Sequence, residues 1–168
     1  MIIHRLMIVM MAMVWMFLFA TGDLAYAGGW LLGDISLVEG TGKHTYGQYI
    51  SVFLTHKAIA VPRDPALDSM ERHRRLDRIN QMHMDFFKTF SQYRGRPDYL
   101  IAHAESSDTG NFAFLDVPAG DYYVVVTFPA MIGGYKVAWQ QPVTIKPGRP
   151  AYVSLNDDNL ALPTDRRN

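Results

Sequence analysis

The chain has 168 residues, 16 basic and 16 acidic side chains, no net charge with histidine neutral, and no cysteine. Balanced charge and a pI near 7.0 exclude the basic face by which proteins hold nucleic acid. The lack of cysteine excludes disulfides and thiolate metal sites, so burial must hold the fold together.

The N-terminus reads as a cleavable leader. His4 and Arg5 precede an apolar run from Leu6 to Ala20, followed by Thr21-Gly22-Asp23 and the small-residue triplet Ala25-Tyr26-Ala27. This order predicts a secretory signal peptide over residues 1–27, cut after Ala27. The 15-residue run is shorter than the roughly 20 residues needed to span a bilayer as a helix. The expected mature chain begins at Gly28, has no membrane span and is periplasmic or secreted. Cleavage removes Arg5 and Asp23, taking each charge count from 16 to 15, so the balance is kept. About 140 residues remain, enough for one domain with a single core.

Alternation of apolar and polar residues predicts strands at Trp30–Val38, broken by Gly33, and at Tyr49–Leu54, with a glycine-rich turn at 39–44 between them. From Pro62 to Arg96 the rhythm becomes helical. Leu76, Ile79, His83, Phe86, Phe90 and Tyr93 recur at spacings of three and four, which puts them on one stripe. Asp64 is the expected N-cap with Pro65 at the first helical position, and Gly95 and Pro97 supply the stop. Strands resume at Tyr99–Glu105, Asn111–Leu115, Asp121–Phe128, Val137–Ile145 and Ala151–Leu155. Tyr122, Val124 and Val126 alternate with Tyr123 and Val125, so both faces of that strand should be covered. Pro142 marks an edge strand or a bulge. The expected architecture is mainly β, a seven-stranded antiparallel β-sandwich over 28–156. One helical insertion at 62–97 follows the second strand, and 157–168 is a flexible tail.

The run from Ser107 to Val126 carries a more specific signal. Asp108-Thr109-Gly110-Asn111-Phe112-Ala113-Phe114 leads through Val117-Pro118-Ala119-Gly120 to Tyr122-Tyr123-Val124-Val125-Val126. This closely resembles the central hairpin of carboxypeptidase regulatory-like, or transthyretin-like, domains. The likeness continues weakly in Val143–Gly148 and Tyr152–Leu155, and at the N-terminal side it is one of pattern. The helical insertion departs from the family, whose strands are joined more directly there. The resemblance implies the sandwich fold, accessory or binding roles and no catalytic residues; no cofactor is expected.

The chemistry-bearing residues agree with that implication. Tyr93-Arg94-Gly95-Arg96 imitates the terminal Tyr-Arg-Gly-Ser of hydroxyisourate-hydrolysing relatives of this fold, but it lies mid-chain and lacks the serine. No Gly-x-Ser-x-Gly elbow occurs. His44, His56, His73, His83 and His103 show no spacing that assembles a metal site. The aromatic residues Phe86, Phe87, Phe90 and Tyr93 either cover the sandwich or dock a partner. Tyr135 and Trp139, beside the Gly133-Gly134 loop, are candidates for stacking on a sugar ring and equally for the core. These features predict an exported, non-catalytic binding or structural module, engaging a protein or carbohydrate of the cell envelope through its loops or its insertion. The alternative is a small histidine-dependent hydrolase or metal-binding periplasmic protein.

Overall fold

The computed structural model describes residues 28–38 and 42–165, so the expected signal peptide lies outside the described residues. Strand β1 (Gly29–Val38) is the centre of a first four-stranded sheet. Its neighbours are β2 (His44–Tyr46), β5 (Asn111–Val117) and β10 (Pro150–Leu155). β10 runs parallel to β1 on one edge, and β5 and then β2 run antiparallel to it on the other. The hand-over between β5 and β2 falls at Ile35, whose N–H donates to Gly110 while its carbonyl accepts from Gly47. Both groups of one strand residue point to the same edge. The second sheet is antiparallel, in the order β4 (Leu100–Glu105), β3 (Ser51–Thr55), β6 (Gly120–Val126), β9 (Trp139–Ile145). A small hairpin, β7 (Met131–Ile132) and β8 (Tyr135–Lys136), closes around Gly133 and Gly134.

Ten strands are therefore present among the described residues where seven were expected. The additional β2, β7 and β8 have two or three residues each, too few to show an alternating pattern. Pro142 lies in β9, an edge strand of the second sheet, where the missing N–H leaves no ladder bond unmade. Gly33 does not break β1. A Cβ there would overlap the Phe112 ring and the Val153 carbonyl, so glycine is what lets the strand lie flat between its neighbours.

The two sheets face each other across one core. Leu31, Ile35 and Leu37 of β1, with Phe112 and Phe114 of β5, meet Val52, Leu54, Tyr122, Val124, Val126 and Trp139 of the second sheet. Gly110 permits the hairpin that brings β5 into place. Its φ is +80°, and a Cβ there would stand 2.5 Å from the Ile35 carbonyl oxygen.

Helix α1 (Arg72–Arg94) lies between β3 and β4 in the chain. It packs on the outer face of the second sheet, making the molecule three layers deep. Ile79, Met82, Phe86 and Phe90 enter a second core with Phe53 and Val125. Phe90 is tilted against Phe53 at 4.8 Å between ring centroids. β6 is thereby buried on both faces, as its alternation requires. The expected N-cap is displaced. The helix begins seven residues later than Pro65, because Leu67 is drawn into the same core by a 3-10 turn at Leu67–Ser69. Asp64 instead accepts from Ala66 N–H at 3.0 Å and from Arg78 Nε at 2.6 Å. The Arg78 bond, then the backbone bond, hold its carboxyl below the usual carboxylate value.

The C-terminal segment also departs from expectation, since it is built into the molecule. Asn156 caps a 3-10 turn at Asp157–Asn159, and Asp157 accepts from Val38 N–H at 2.6 Å. Ala161 N–H donates to Ala138 O, and Leu162 is buried beneath the helix. Nε2 of His83, a buried helix residue, lies 3.0 Å from the Pro163 carbonyl. Two leucines in a polar sequence suffice because α1 leaves a slot for the second of them.

Two outcomes follow from this packing. Phe86 is 0% exposed, so Phe86→Ala should cost about 3–5 kcal/mol, read as a lower urea midpoint at unchanged m-value. A loss under about 1 kcal/mol would show that the stripe is not held against the sheet. Burial, opposed by the Pro163 bond, lowers the His83 pKa below its usual 6.5. On acidification the unfolded chain then takes up that proton first. The contribution is complete above about pH 6.5 and is lost as pH falls toward the folded value. Stability should fall on acidification through that window, and His83→Gln should flatten the slope there; an unchanged slope in the variant would assign the pH dependence to other groups.

Candidate functional site

The aromatic residues of α1 divide by their position on its circumference. Phe86 and Phe90 are fully buried against the second sheet. They cannot dock a partner, because the surface expected to receive one is occupied by the molecule's own β3 and β6. Phe87 is half-buried and edge-on to Phe128 at 5.6 Å. Tyr93, also half-buried, lies between Tyr99 and the Arg96 guanidinium, which stands 4.5 Å above its ring. Trp139 likewise cannot stack on a sugar. It opens β9 opposite Val126, points inward, is 0% exposed and donates from Nε1 to Asn156 O at 2.9 Å. Tyr135 remains at the surface, half-buried in the β7–β8 hairpin.

The histidines are dispersed. His44 is in β2, His56 stacks on Tyr122, and His73 stands 3.7 Å from Glu71 at the head of α1. His83 is buried under the C-terminal segment, and His103 stacks on Phe53. Among the described residues no three histidine, aspartate or glutamate side chains come together in a group able to hold a metal ion. No helix among them is long and apolar enough to cross a membrane.

The surface that stands out is the outer face of the first sheet. Along β1, Leu31, Gly33 and Ile35 point into the core, which turns Trp30, Leu32 and Asp34 outward. Leu32 is flanked by Tyr152 of β10 and Ala113 of β5, and Asp34 by Ser154 and Asn111. Trp30 is 46% exposed, Leu32 40%, Tyr152 67% and Leu115 68%. Leu32 and Tyr152 border a shallow groove of 470 Å³ whose rim includes Glu105, Ser107 and Asn111; Trp30 and Leu115 stand on the same face outside its lining. The Tyr152 ring is held from one end. Its hydroxyl donates to Asp34 Oδ1 at 2.5 Å, and Ser154 Oγ donates to Asp34 Oδ2 at 3.2 Å. The bond to Asp34, with some burial and the carboxylate charge, raises the phenol above its usual value, so it is protonated at neutral pH. The arrangement is a fixed aromatic plane with a second ring nearby and carboxylate, amide and hydroxyl groups beside it.

Sequence reasoning did not find this face, although a signal for it existed. Both sheets carry apolar residues outward: Trp30 and Leu32 on one, Phe53 and Val125 on the other. One helical insertion can cover one outer face of a two-sheet stack. The other must stay open.

No protein-family model and no curated protein matches the chain. Among solved structures it is similar to a Pseudomonas aeruginosa protein proposed to bind carbohydrate. The identity is 19%, over 77% of this chain and 88% of that one, with a TM-score of 0.43. It is also similar to a minor pilin of Streptococcus agalactiae (14% identity, TM-score 0.44) and to the major pilin of Bacillus cereus (11%, 0.38). The matches cover 76% and 79% of this chain, and the chain spans 43% and 30% of the two pilins. At such identities and scores the likenesses do not extend to function.

Proposed function

We propose that the protein is an exported, non-catalytic binding module of the carboxypeptidase regulatory-like kind, which holds a glycan of the cell envelope on the open face of its first sheet. The leader-like sequence at 1–27 supports export to the periplasm or beyond. The hairpin motif from Ser107 to Val126 supports the family assignment. The observation that carries the binding role is the exposed pair Trp30 and Tyr152, with the Tyr152 ring fixed through Asp34. A sugar ring offers an apolar C–H face to stack on such a plane and hydroxyls to meet Asn111 and the rim carboxylate of Glu105. Fixing the ring beforehand lowers the entropy cost of binding. Because this face lies opposite the helix, binding there leaves α1 its structural role.

A second reading is favoured by Leu32 and Leu115. Large aliphatic side chains suit a protein surface better than a sugar, and the partner would then be an envelope protein. The histidine-dependent alternative has no assembled group of side chains to support it.

The deciding experiment is binding of the purified protein to immobilised envelope polysaccharides and peptidoglycan, alongside Trp30→Ala and Tyr152→Ala. Each variant should lose at least about tenfold in affinity while its thermal midpoint stays near that of the parent, since both residues stand in solvent. Retained binding by both variants would remove the open face from the function. Loss of binding to an envelope protein, with no glycan bound by the parent, would select the second reading.

A further inference from the structure

A separate cavity lies where the β2–β3 connection, the β6–β7 connection and the C-terminal half of α1 meet. Its volume is 340 Å³, within the range of small-ligand sites. Phe53, Phe87, Phe90 and Phe128 form its walls, with Phe53 tilted against Phe90 and Phe87 edge-on to Phe128. Two polar groups on this lining lack the partners that such groups normally have.

Arg94 is the first of these. Its guanidinium lies 5.1 Å from the Phe53 ring centroid, and it takes part in no ion pair among the described residues. A guanidinium resting on an aromatic face keeps its in-plane N–H groups free, in the fork that matches a carboxylate. The second is Thr127, which borders the cavity and is 4% exposed. Its hydroxyl has no hydrogen-bond partner among the described residues. Buried hydroxyls in folded proteins are nearly always bonded, and one left open beside a cavity points to an acceptor that arrives from outside. Tyr49 at the rim has a φ of +53°, a conformation rare for a residue with a bulky side chain and one that concentrates at ligand sites.

We infer that this cavity binds a small aromatic acid. The ring packs against Phe87 and Phe128, the two partly exposed phenylalanines of the lining, with Phe53 and Phe90 buried behind them. The carboxylate meets Arg94 at the mouth, and Thr127 donates to an oxygen of the ligand. The site differs in kind from the open sheet face, since its lining carries one cation, Arg94, which selects charge. Neither site depends on the other.

The test is a calorimetric titration of the purified protein with phenylacetate and with its neutral isostere phenylacetamide. Phenylacetate should bind saturably, at least about tenfold more tightly than the amide, the worth of one charge-assisted hydrogen bond. Arg94→Gln, at an exposed helix position, should bring the two ligands to equal affinity. Thr127→Val should weaken both while keeping the preference for the acid. Equal binding of acid and amide by the parent, or an undiminished preference in Arg94→Gln, would overturn the proposal. So would the absence of saturable phenylacetate binding at millimolar concentration. Because Trp30→Ala leaves this cavity untouched, its effect on glycan binding reads the other site independently.

Discussion

The second sheet is apolar on both faces, and that constraint governs the rest of the structure. Tyr122, Val124 and Val126 of β6 face the first sheet, while Tyr123 and Val125 on the same strand face away from it. In a chain without cysteine no cross-link can compensate for leaving the second set in water. The helix answers this need. Its aromatic stripe is the complement of Phe53 and Val125, and Leu67 before it and Leu162 after the last strand are drawn into the same layer. Removing the helix would strip the cover from a central strand as well as deleting an appendage.

The same constraint determines where binding can occur. Because α1 covers the outer face of the second sheet, the outer face of the first stays open among the described residues, with Trp30 and Tyr152 exposed on it. The cavity beside Arg94 arises at a different boundary, where the helix runs past the end of the sheet and the two neighbouring connections do not fill the gap. One helix thus creates both features, the first by the face it leaves uncovered and the second by the corner it fails to fill.

The central hairpin was legible because several local signals agree. Gly110 sits at a positive φ, Val117-Pro118-Ala119-Gly120 makes the reversal, and the flanking residues alternate over Asn111–Leu115 and Asp121–Val124. The helix stripe was legible for a similar reason, although its start was not, since the first helical residues are polar and its N-cap Glu71 makes no side-chain cap bond. The strand His44–Tyr46 was not legible, being three residues long and held by its register with β1. Trp139 and Trp30 show a further limit. Periodicity says that neighbours in a strand face opposite ways, but it does not say which way is in. Trp139 beside a glycine-rich loop reads equally as a ligand platform or as core, and it is core, whereas Trp30, also in a strand, is exposed. That distinction depends on which face the helix chose.

The parallel pairing of β1 with β10 joins the first and the last strand among the described residues. Asp34 is bonded by Tyr152 and Ser154, which are 118 and 120 residues away in the chain. A polypeptide that emerges N-terminus first, from a ribosome or through a membrane, must therefore carry its central strand unpaired on one side until nearly all the rest has followed. Long-range closures of this kind slow folding. For an exported chain, as proposed above, that delay would keep the polypeptide extensible until passage through a translocation pore is complete. The associated hazard is kinetic: a nascent or clipped chain lacking β10 exposes the β1 edge, a template on which a strand from another molecule can pair.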